Sequence, residues 1–232
     1  MKRLLRAITR ALGLLLLLFT LYQAWFFGHV LWWREQDPAT TSFMRIRLAE
    51  LHEQDRTARL EHRWVPYERI SPHLARAVVA AEDDRFMDHS GFDWTGIQRA
   101  IERNRARGSR AAGGSTISQQ LAKNLFLSPS RSYLRKAQEA VITVMLETTW
   151  SKRRILEVYL NVVEWGDGVF GAEAAARHHY GLPADRLGPG EATRLAVMLP
   201  NPRRYADSFG PQLATSAERV RARMVHTRIP GQ

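Results

Sequence analysis

A carboxylate group ends one of the predicted helices of this sequence. Ser71-Pro72 is typical of a helix start, and apolar residues at helical spacing predict one buried face that leads to the acidic run Glu82-Asp83-Asp84. Glu82 lies one turn beyond Val78, at the negative end of the helix dipole. Apolar neighbours and this dipole both disfavour a charged carboxylate, so Glu82 could act as a general base. The alternative interpretation is a surface acidic run in which Glu82 pairs with an arginine.

Two glycines lead into another predicted helix, in which Thr116 and Gln119 have capping-box spacing. Free backbone N–H groups at such a helix start favour an anion. One helix face carries a cation and amides that would suit a phosphate and sugar hydroxyls: Gln119, Gln120, Lys123 and Asn124. The alternative interpretation is a capped helix with a solvated polar face.

Lysine is scarce in this sequence, whose 34 basic residues comprise 30 Arg and 4 Lys against 23 acidic residues, a formal net charge of +11. Beyond the N-terminus the lysines are Lys123, Lys136 and Lys152. A retained lysine suggests a site that needs a compact ammonium group instead of a planar guanidinium. Arg135-Lys136 with Glu139 is one such motif, although it would also fit a surface helix pair.

The N-terminal region has the pattern of a membrane anchor. A basic leader, residues 1–10, precedes a mostly apolar run at 11–33, and no acidic residue occurs before Glu35. As a helix this run would be about 35 Å long, enough to cross a hydrocarbon core of about 30 Å. The leader predicts a cytoplasmic N-terminus, a single pass through the inner membrane and a periplasmic remainder. A cleaved signal peptide is the alternative.

The remainder of the chain indicates a mostly α-helical protein. Residues 34–64 predict an amphipathic helical connector, and residues 65–232 predict one domain without repeats or sustained strand alternation. The Arg- and Gly-rich segment at 104–114 predicts a loop. The absence of cysteine excludes disulfides and thiolate catalysis, and the predicted topology argues against nucleic acid as the partner of the basic charge. Further helices are predicted at 116–127, 133–149, 151–163, 171–180, 189–199 and 216–226.

Four motifs in order, between Val65 and Tyr205, resemble those of the peptidoglycan glycosyltransferases. The matching residues are Glu82-Asp83-x-x-Phe86-x-x-His89-x-Gly91, Gly114-Ser115-Thr116-Ile117-x-Gln119-Gln120-x-x-Lys123-Asn124, Arg135-Lys136-x-x-Glu139 and Lys152-x-x-Ile155-Leu156-Glu157-x-Tyr159-Leu160-Asn161.

The resemblance implies a lysozyme-like helical domain with a smaller membrane-facing lobe. It also implies polymerisation of lipid II, in which the 4-hydroxyl of an acceptor N-acetylglucosamine attacks C1 of N-acetylmuramic acid on the growing chain. A β-1,4 bond forms with inversion, and undecaprenyl diphosphate leaves. Such a reaction needs a base for the hydroxyl and positive charge for the leaving group.

The family motifs assign roles to residues of this chain. Glu82 matches the base, and Glu139 matches a second catalytic carboxylate that organises the donor site or a divalent cation. Residues implied to bind substrate or diphosphate are Ser115, Thr116, Gln119, Gln120, Lys123, Asn124, Arg135, Lys136 and Lys152. Residues implied to shape the site are Asp83, Phe86, His89, Gly114, Glu157 and Asn161.

The resemblance requires no cofactor but leaves room for Mg²⁺ or Mn²⁺ at the diphosphate. The implied partners are lipid II, the growing glycan, the lipid bilayer and cell-wall synthesis proteins. The Arg-rich segment at 104–113 matches the family's flexible segment between donor and acceptor sites. The sequence has no S-x-x-K or K-T-G motif, so a transpeptidase domain is not expected. Residues 177–180 depart from the family's fifth motif, and His178 with His179 makes a weak metal candidate.

Two other functions stay open at this stage. A lytic enzyme of the same fold would cleave glycan, but it would have no use for cations that bind a diphosphate. A membrane-anchored scaffold would bind cell-wall machinery without catalysis. If the protein were such a scaffold, variants of Glu82 and Glu139 would fully replace the wild-type protein in cells that lack it.

Overall fold

The computed structural model describes residues 2–107, 114–206 and 208–231. Helices dominate these ranges, which confirms the mostly α prediction. The helices are α1 Lys2–Glu35, α2 Ser42–Gln54, α3 Pro72–Glu82, α4 Trp94–Arg107, α5 Ile117–Phe126, α6 Tyr133–Thr149, α7 Lys152–Val162, α8 Ala172–Tyr180, α9 Pro189–Met198, α10 Pro202–Ala206 and α11 Pro211–Met224. The strands are β1 Glu61–His62, β2 Glu164–Gly166 and β3 Val169–Phe170.

Helix α1 is long and apolar enough to cross a membrane, and its apolar stretch is exposed. Its C-terminal part instead packs on the rest of the protein, because Phe26 and Val30 are buried there. The Trp150 indole donates to the Val30 carbonyl at 2.8 Å. Gln23 and Gln138 exchange two amide hydrogen bonds of 2.8 and 3.0 Å. The C-terminal part of α1 is thus fixed to α6 and the residue that follows it.

Short polar side chains start the helices that carry the motifs. Ser71 caps α3, with Pro72 at its first position. Thr116 caps α5 in a reciprocal capping box with Gln119, and Ser132 caps α6. Each cap satisfies backbone N–H groups that have no partner within the helix. These caps therefore place the starts of α3, α5 and α6.

Two groups of helices form the core. Helix α3 packs on α9 and α11, whereas α5 packs on α6 and α7. The apolar face predicted for α3 is buried, since Leu74, Ala77 and Val78 are all 0% exposed. The largest side chains of the core include Trp165, Tyr159 and Phe86. Because α3 ends at Glu82 where these two groups meet, the fold brings the carboxylate close to the polar face of α5.

A small sheet in the order β1-β3-β2 corrects the predicted connector. The helix predicted up to residue 64 ends at Gln54, and β1 then pairs in parallel with β3. Strand β2 pairs with β3 in antiparallel orientation. Within the connector, Arg47 is buried and donates to Glu164 at 2.8 Å. Strands this short leave no alternating pattern for the sequence to reveal.

The helix α4 was not predicted from the sequence. It extends to Arg107 and includes the first part of the segment expected to be a loop. Residues 108–113 of that segment lie outside the described ranges. Arginine and alanine in this run are good helix formers, and their propensity outweighed the glycines that follow.

Candidate active site

Glu82 lines a polar cleft of about 170 Å³ between the end of α3, the start of α4 and the turn before α5. Its lining includes Glu82, Asp83, Asp93, Arg99, Ser115 and Arg223. The first and second motifs therefore meet at one cleft although about thirty residues separate them in the sequence. This arrangement leaves a carboxylate next to open space in which a substrate could lie.

Burial raises the pKa of Glu82 above its usual value, and the neighbouring charge of Asp83 adds to the increase. A hydrogen bond from Gln120 and the positive charge of Lys123 oppose this effect. The Gln120 amide donates to Glu82 Oε2 at 2.8 Å. A carboxylate with a raised pKa accepts a proton more readily than an ordinary one, which suits general base catalysis.

Tyr159 fixes the orientation of Gln120, a role that the sequence did not reveal. The Tyr159 hydroxyl donates to Gln120 Oε1 at 2.9 Å, so the amide nitrogen must face Glu82. Tyr159 is 0% exposed, and burial raises the pKa of its hydroxyl well above the usual value. It therefore remains a donor. In the sequence, Tyr159 is spaced with Ile155 and Leu156 as part of one apolar helical stripe, which indicates packing alone.

Asp83 joins the first motif to the start of α5. Its carboxylate accepts from the Ile117 backbone N–H at 3.0 Å and lies 2.9 Å from His89 Nε2. The Gly91 N–H donates to His89 Nδ1 at 3.1 Å, so Nε2 carries the hydrogen that binds Asp83. Through these contacts, Asp83 and His89 fix the loop between α3 and α4 against the start of α5, which is consistent with a role in shaping the site.

Gly114 and Thr116 bring the second motif against the first. The Thr116 hydroxyl donates to the Gly91 carbonyl at 2.7 Å, and Thr116 with Gln119 closes the capping box. A Cβ on Gly114 would lie 3.3 Å from the Ile97 backbone. The hydrogen bonds of Thr116 and Gln119 are therefore used inside the protein. Of the polar residues predicted on this helix, Gln120 and Lys123 remain directed to the site, and Asn124 is buried.

The third motif forms a cluster of cations around one buried carboxylate. Glu139 is 2% exposed and accepts from Arg135 at 2.7 Å and, through its other oxygen, from Lys136. Lys136 Nζ also lies 3.4 Å from the hydroxyl of Ser115, which lines the cleft. The cluster thus borders the cleft of Glu82.

Lys123 is close enough to Glu139 for the charge of this carboxylate to influence its pKa. Burial lowers the pKa of Lys123, whereas the nearby charge of Glu139 raises it. The ammonium group lies 5.5 Å from the ring centre of Phe43, a residue of the connector helix α2. Three cations around one carboxylate leave an excess of positive charge, which suits a diphosphate.

The donor set does not fit a divalent cation held by protein side chains. Both oxygens of Glu139 already bind cationic groups. In the described ranges, no three His, Asp or Glu side chains are grouped so that they could hold a metal ion. This applies also to His178 and His179, whose partners are Glu61 at 3.2 Å and the Trp165 carbonyl at 3.0 Å.

The structure does not bring Lys152 into the cation cluster of Lys123, Arg135 and Lys136. Its ammonium pairs with Glu147 at 2.8 Å and lies 4.5 Å from the ring centre of Phe86. Glu147 also accepts from Ser118. Glu147, near the end of α6, thus holds Lys152 against the ring of Phe86 in the first motif.

Glu157 and Asn161 lie in the scaffold. Glu157 accepts from the Tyr67 N–H at 2.9 Å and from Arg154 at 2.8 Å. The Asn161 side chain binds both backbone groups of Val65, at 3.0 and 2.9 Å. Both residues therefore anchor the segment that enters α3, the helix that ends at Glu82.

Comparisons with known proteins agree with the site. The transglycosylase family model matches residues 49–228. A biosynthetic peptidoglycan transglycosylase of Azoarcus sp. (strain BH72) is 68% identical over 230 residues, which cover 99% of this chain and 100% of the relative. Proteins of the same name from Aromatoleum aromaticum and Dechloromonas aromatica are 64% and 58% identical, covering 99% and 95% of this chain and 100% and 98% of theirs. The mostly helical fold is the lysozyme-like one that the resemblance implies. The chain belongs to the transglycosylase family.

Proposed function

We propose that this protein polymerises lipid II into glycan strands, with Glu82 as the general base. Glu82 takes the proton of the acceptor's 4-hydroxyl as the oxygen attacks C1 of N-acetylmuramic acid on the growing chain. The C1–O bond to the diphosphate breaks as the new β-1,4 bond forms. Undecaprenyl diphosphate leaves with the electron pair of the broken bond.

The observation that carries this proposal is that α5 lies between a candidate base and a cluster of cations. Gln120 binds the base Glu82 at 2.8 Å, and Lys123, one turn later, lies in the electrostatic environment of Glu139. A base is thus placed on one side and a set of cations on the other. An inverting displacement with an anionic leaving group needs both.

The cation cluster favours polymerisation over the lytic alternative. A glycan-cleaving enzyme expels a neutral sugar hydroxyl and needs an acid at the leaving oxygen. Arg135 and Lys136 bind a buried carboxylate here and Lys123 lies within its electrostatic influence, and a glycan-cleaving reaction has no use for this excess positive charge. Positive charge at this place stabilises a diphosphate as it leaves.

The anchor and the cluster support a membrane location for the reaction. Helix α1 begins with the cations Lys2, Arg3, Arg6 and Arg10 and continues as an apolar helix. By the positive-inside rule, the N-terminus is cytoplasmic and the domain is periplasmic, on the inner membrane. The remaining basic charge then faces lipid headgroups and a lipid-linked substrate instead of nucleic acid.

Incubation of the full-length protein with lipid II in vesicles tests the proposal. We expect long glycan and released undecaprenyl diphosphate, and no soluble fragments from isolated cell-wall sacculi. Soluble muropeptides without polymer would favour the lytic enzyme. The scaffold would be favoured if neither glycan polymer nor soluble muropeptides formed and a Glu139→Gln variant fully replaced the wild-type protein in cells.

A further inference from the structure

A second cavity lies on the far side of Glu82. It is open to solvent, has a volume of about 380 Å³ and is bordered by the end of α3 and by α9, α10 and α11. Glu82 and Arg223 line both this cavity and the cleft described above. The two spaces therefore meet at the base, and a molecule whose reacting group lies at Glu82 could extend into either.

The lining of this second cavity combines an apolar floor with two guanidinium groups. The floor is formed by Val197, Leu213 and Val220, and Tyr205 provides an aromatic ring. Arg219 and Arg223, one turn apart on α11, are both exposed on the surface of this helix. Among the ion pairs of the described residues, neither arginine has a carboxylate partner.

These features differ from those of the cation cluster formed by Lys123, Arg135 and Lys136. That cluster lies on α5 and α6 and contains two lysines and one arginine around Glu139. The second cavity presents arginines only, together with apolar and aromatic surface. A guanidinium fork matches a planar carboxylate in two parallel hydrogen bonds. The ring of Tyr205 and the apolar floor suit the faces of a sugar or the side chains of a short peptide.

We propose that this cavity binds the acidic peptide that the acceptor lipid II carries on its N-acetylmuramic acid, next to the N-acetylglucosamine that reacts at Glu82, with Arg219 and Arg223 holding the peptide carboxylates. The proposal rests on the function proposed above, because it takes the peptide-bearing sugar of lipid II as the occupant. The cavity would then select substrates by the charge of this peptide and hold the sugar in line with the base.

Kinetics with two substrates test this role. The probes are lipid II with free peptide carboxylates and lipid II in which these carboxylates are amidated. For the wild type, we expect amidation to raise KM by about tenfold, as expected for the loss of a charge-assisted hydrogen bond. Arg219→Gln is expected to raise KM for the acidic substrate by a similar factor and to leave KM for the amidated substrate unchanged.

Two further variants make the test decisive. Arg219→Glu is expected to reverse the preference in favour of amidated lipid II, which a loss of folding could not produce. Arg221→Gln, a control on the same helix outside the cavity lining, is expected to behave as wild type. Equal KM values for both substrates in the wild type and in Arg219→Glu would overturn the inference while leaving polymerisation intact. Absence of polymer from the wild type with either substrate would instead overturn the proposed function.

Discussion

The side-chain amide of Gln120 connects Glu82 to Tyr159, donating to the carboxylate at 2.8 Å and accepting from the phenol at 2.9 Å. Because the phenol can only donate to the amide oxygen while its proton is retained, the amide has one orientation. The buried Tyr159 thus ensures that the NH2 group of Gln120, and not its oxygen, faces Glu82. Gln120 lowers the pKa of a carboxylate that burial raises.

Tyr159→Phe removes this connection while preserving most of the packing. The Gln120 amide can then rotate, and its hydrogen bond to Glu82 weakens. Since that bond lowers the pKa of Glu82, the pKa should rise further. Polymerisation requires the deprotonated base, so the acidic limb of the pH–rate profile should move to higher pH, with a roughly tenfold lower rate at neutral pH. An unshifted limb would contradict the connection, and Tyr180→Phe serves as the control.

Glu82→Gln should stabilise the fold while it removes the base. Burial raises the pKa of Glu82 above its usual value of 4.5, so the charged form costs stability at neutral pH. This cost is absent below the unfolded pKa and develops as pH rises. The melting temperature of the variant in detergent should therefore exceed that of the wild type at pH 7, by about 2–4 °C per kcal/mol of cost removed. The difference should shrink towards pH 4.5; a constant difference would contradict the assignment.

Glu139→Gln should weaken both the fold and the site. The side chain is 2% exposed, and its removal leaves Arg135 and Lys136 without their shared carboxylate. We expect a loss near the low end of about 3–5 kcal/mol, because Lys136 is partly exposed. Denaturant unfolding in detergent measures this loss. Glu218→Gln, in an exposed pair on α11, is the control and should change stability by less than about 1 kcal/mol.

Lys123→Arg tests whether the scarce lysines mark sites that need a compact cation. Lys123 is half-buried, with its ammonium group 5.5 Å from the ring centre of Phe43 and in the field of Glu139, and a planar guanidinium group would present its charge there with a different shape. We expect kcat/KM for lipid II to fall by about tenfold or more with the fold intact. The control is Arg186→Lys at an exposed position. Unchanged turnover of Lys123→Arg would remove the argument from lysine scarcity.

The sequence predicted the elements whose signals are local. Caps at Ser71 and Thr116 placed two helix starts, and the apolar stripe of α3 led to Glu82. The capping box also placed Thr116 and Gln119, although their hydrogen bonds are used within the protein. Local patterns thus located the motif helices without showing which side chains face the cleft.

Tertiary partners could not be predicted in the same way. Lys152 shares its motif with candidate site residues, but Glu147 on the preceding helix holds it elsewhere. Tyr159 fitted an apolar stripe, and only the packing of α5 on α7 places its hydroxyl on Gln120. Arg219 and Arg223 lie on a helix with ordinary surface composition, and they line the same cavity as Glu82 because α11 packs on α3. These relationships join distant segments, so no local spacing encodes them.

The rate of glycan formation from lipid II by Glu82→Gln tests the central claim most directly. The substitution keeps the size of the side chain and removes its ability to accept a proton. With the full-length protein in vesicles, we predict a loss of at least about a hundredfold in rate, while Glu53→Gln on the exposed face of α2 polymerises as the wild type does. A Glu82→Gln variant that polymerises at the wild-type rate would contradict the assignment of the base.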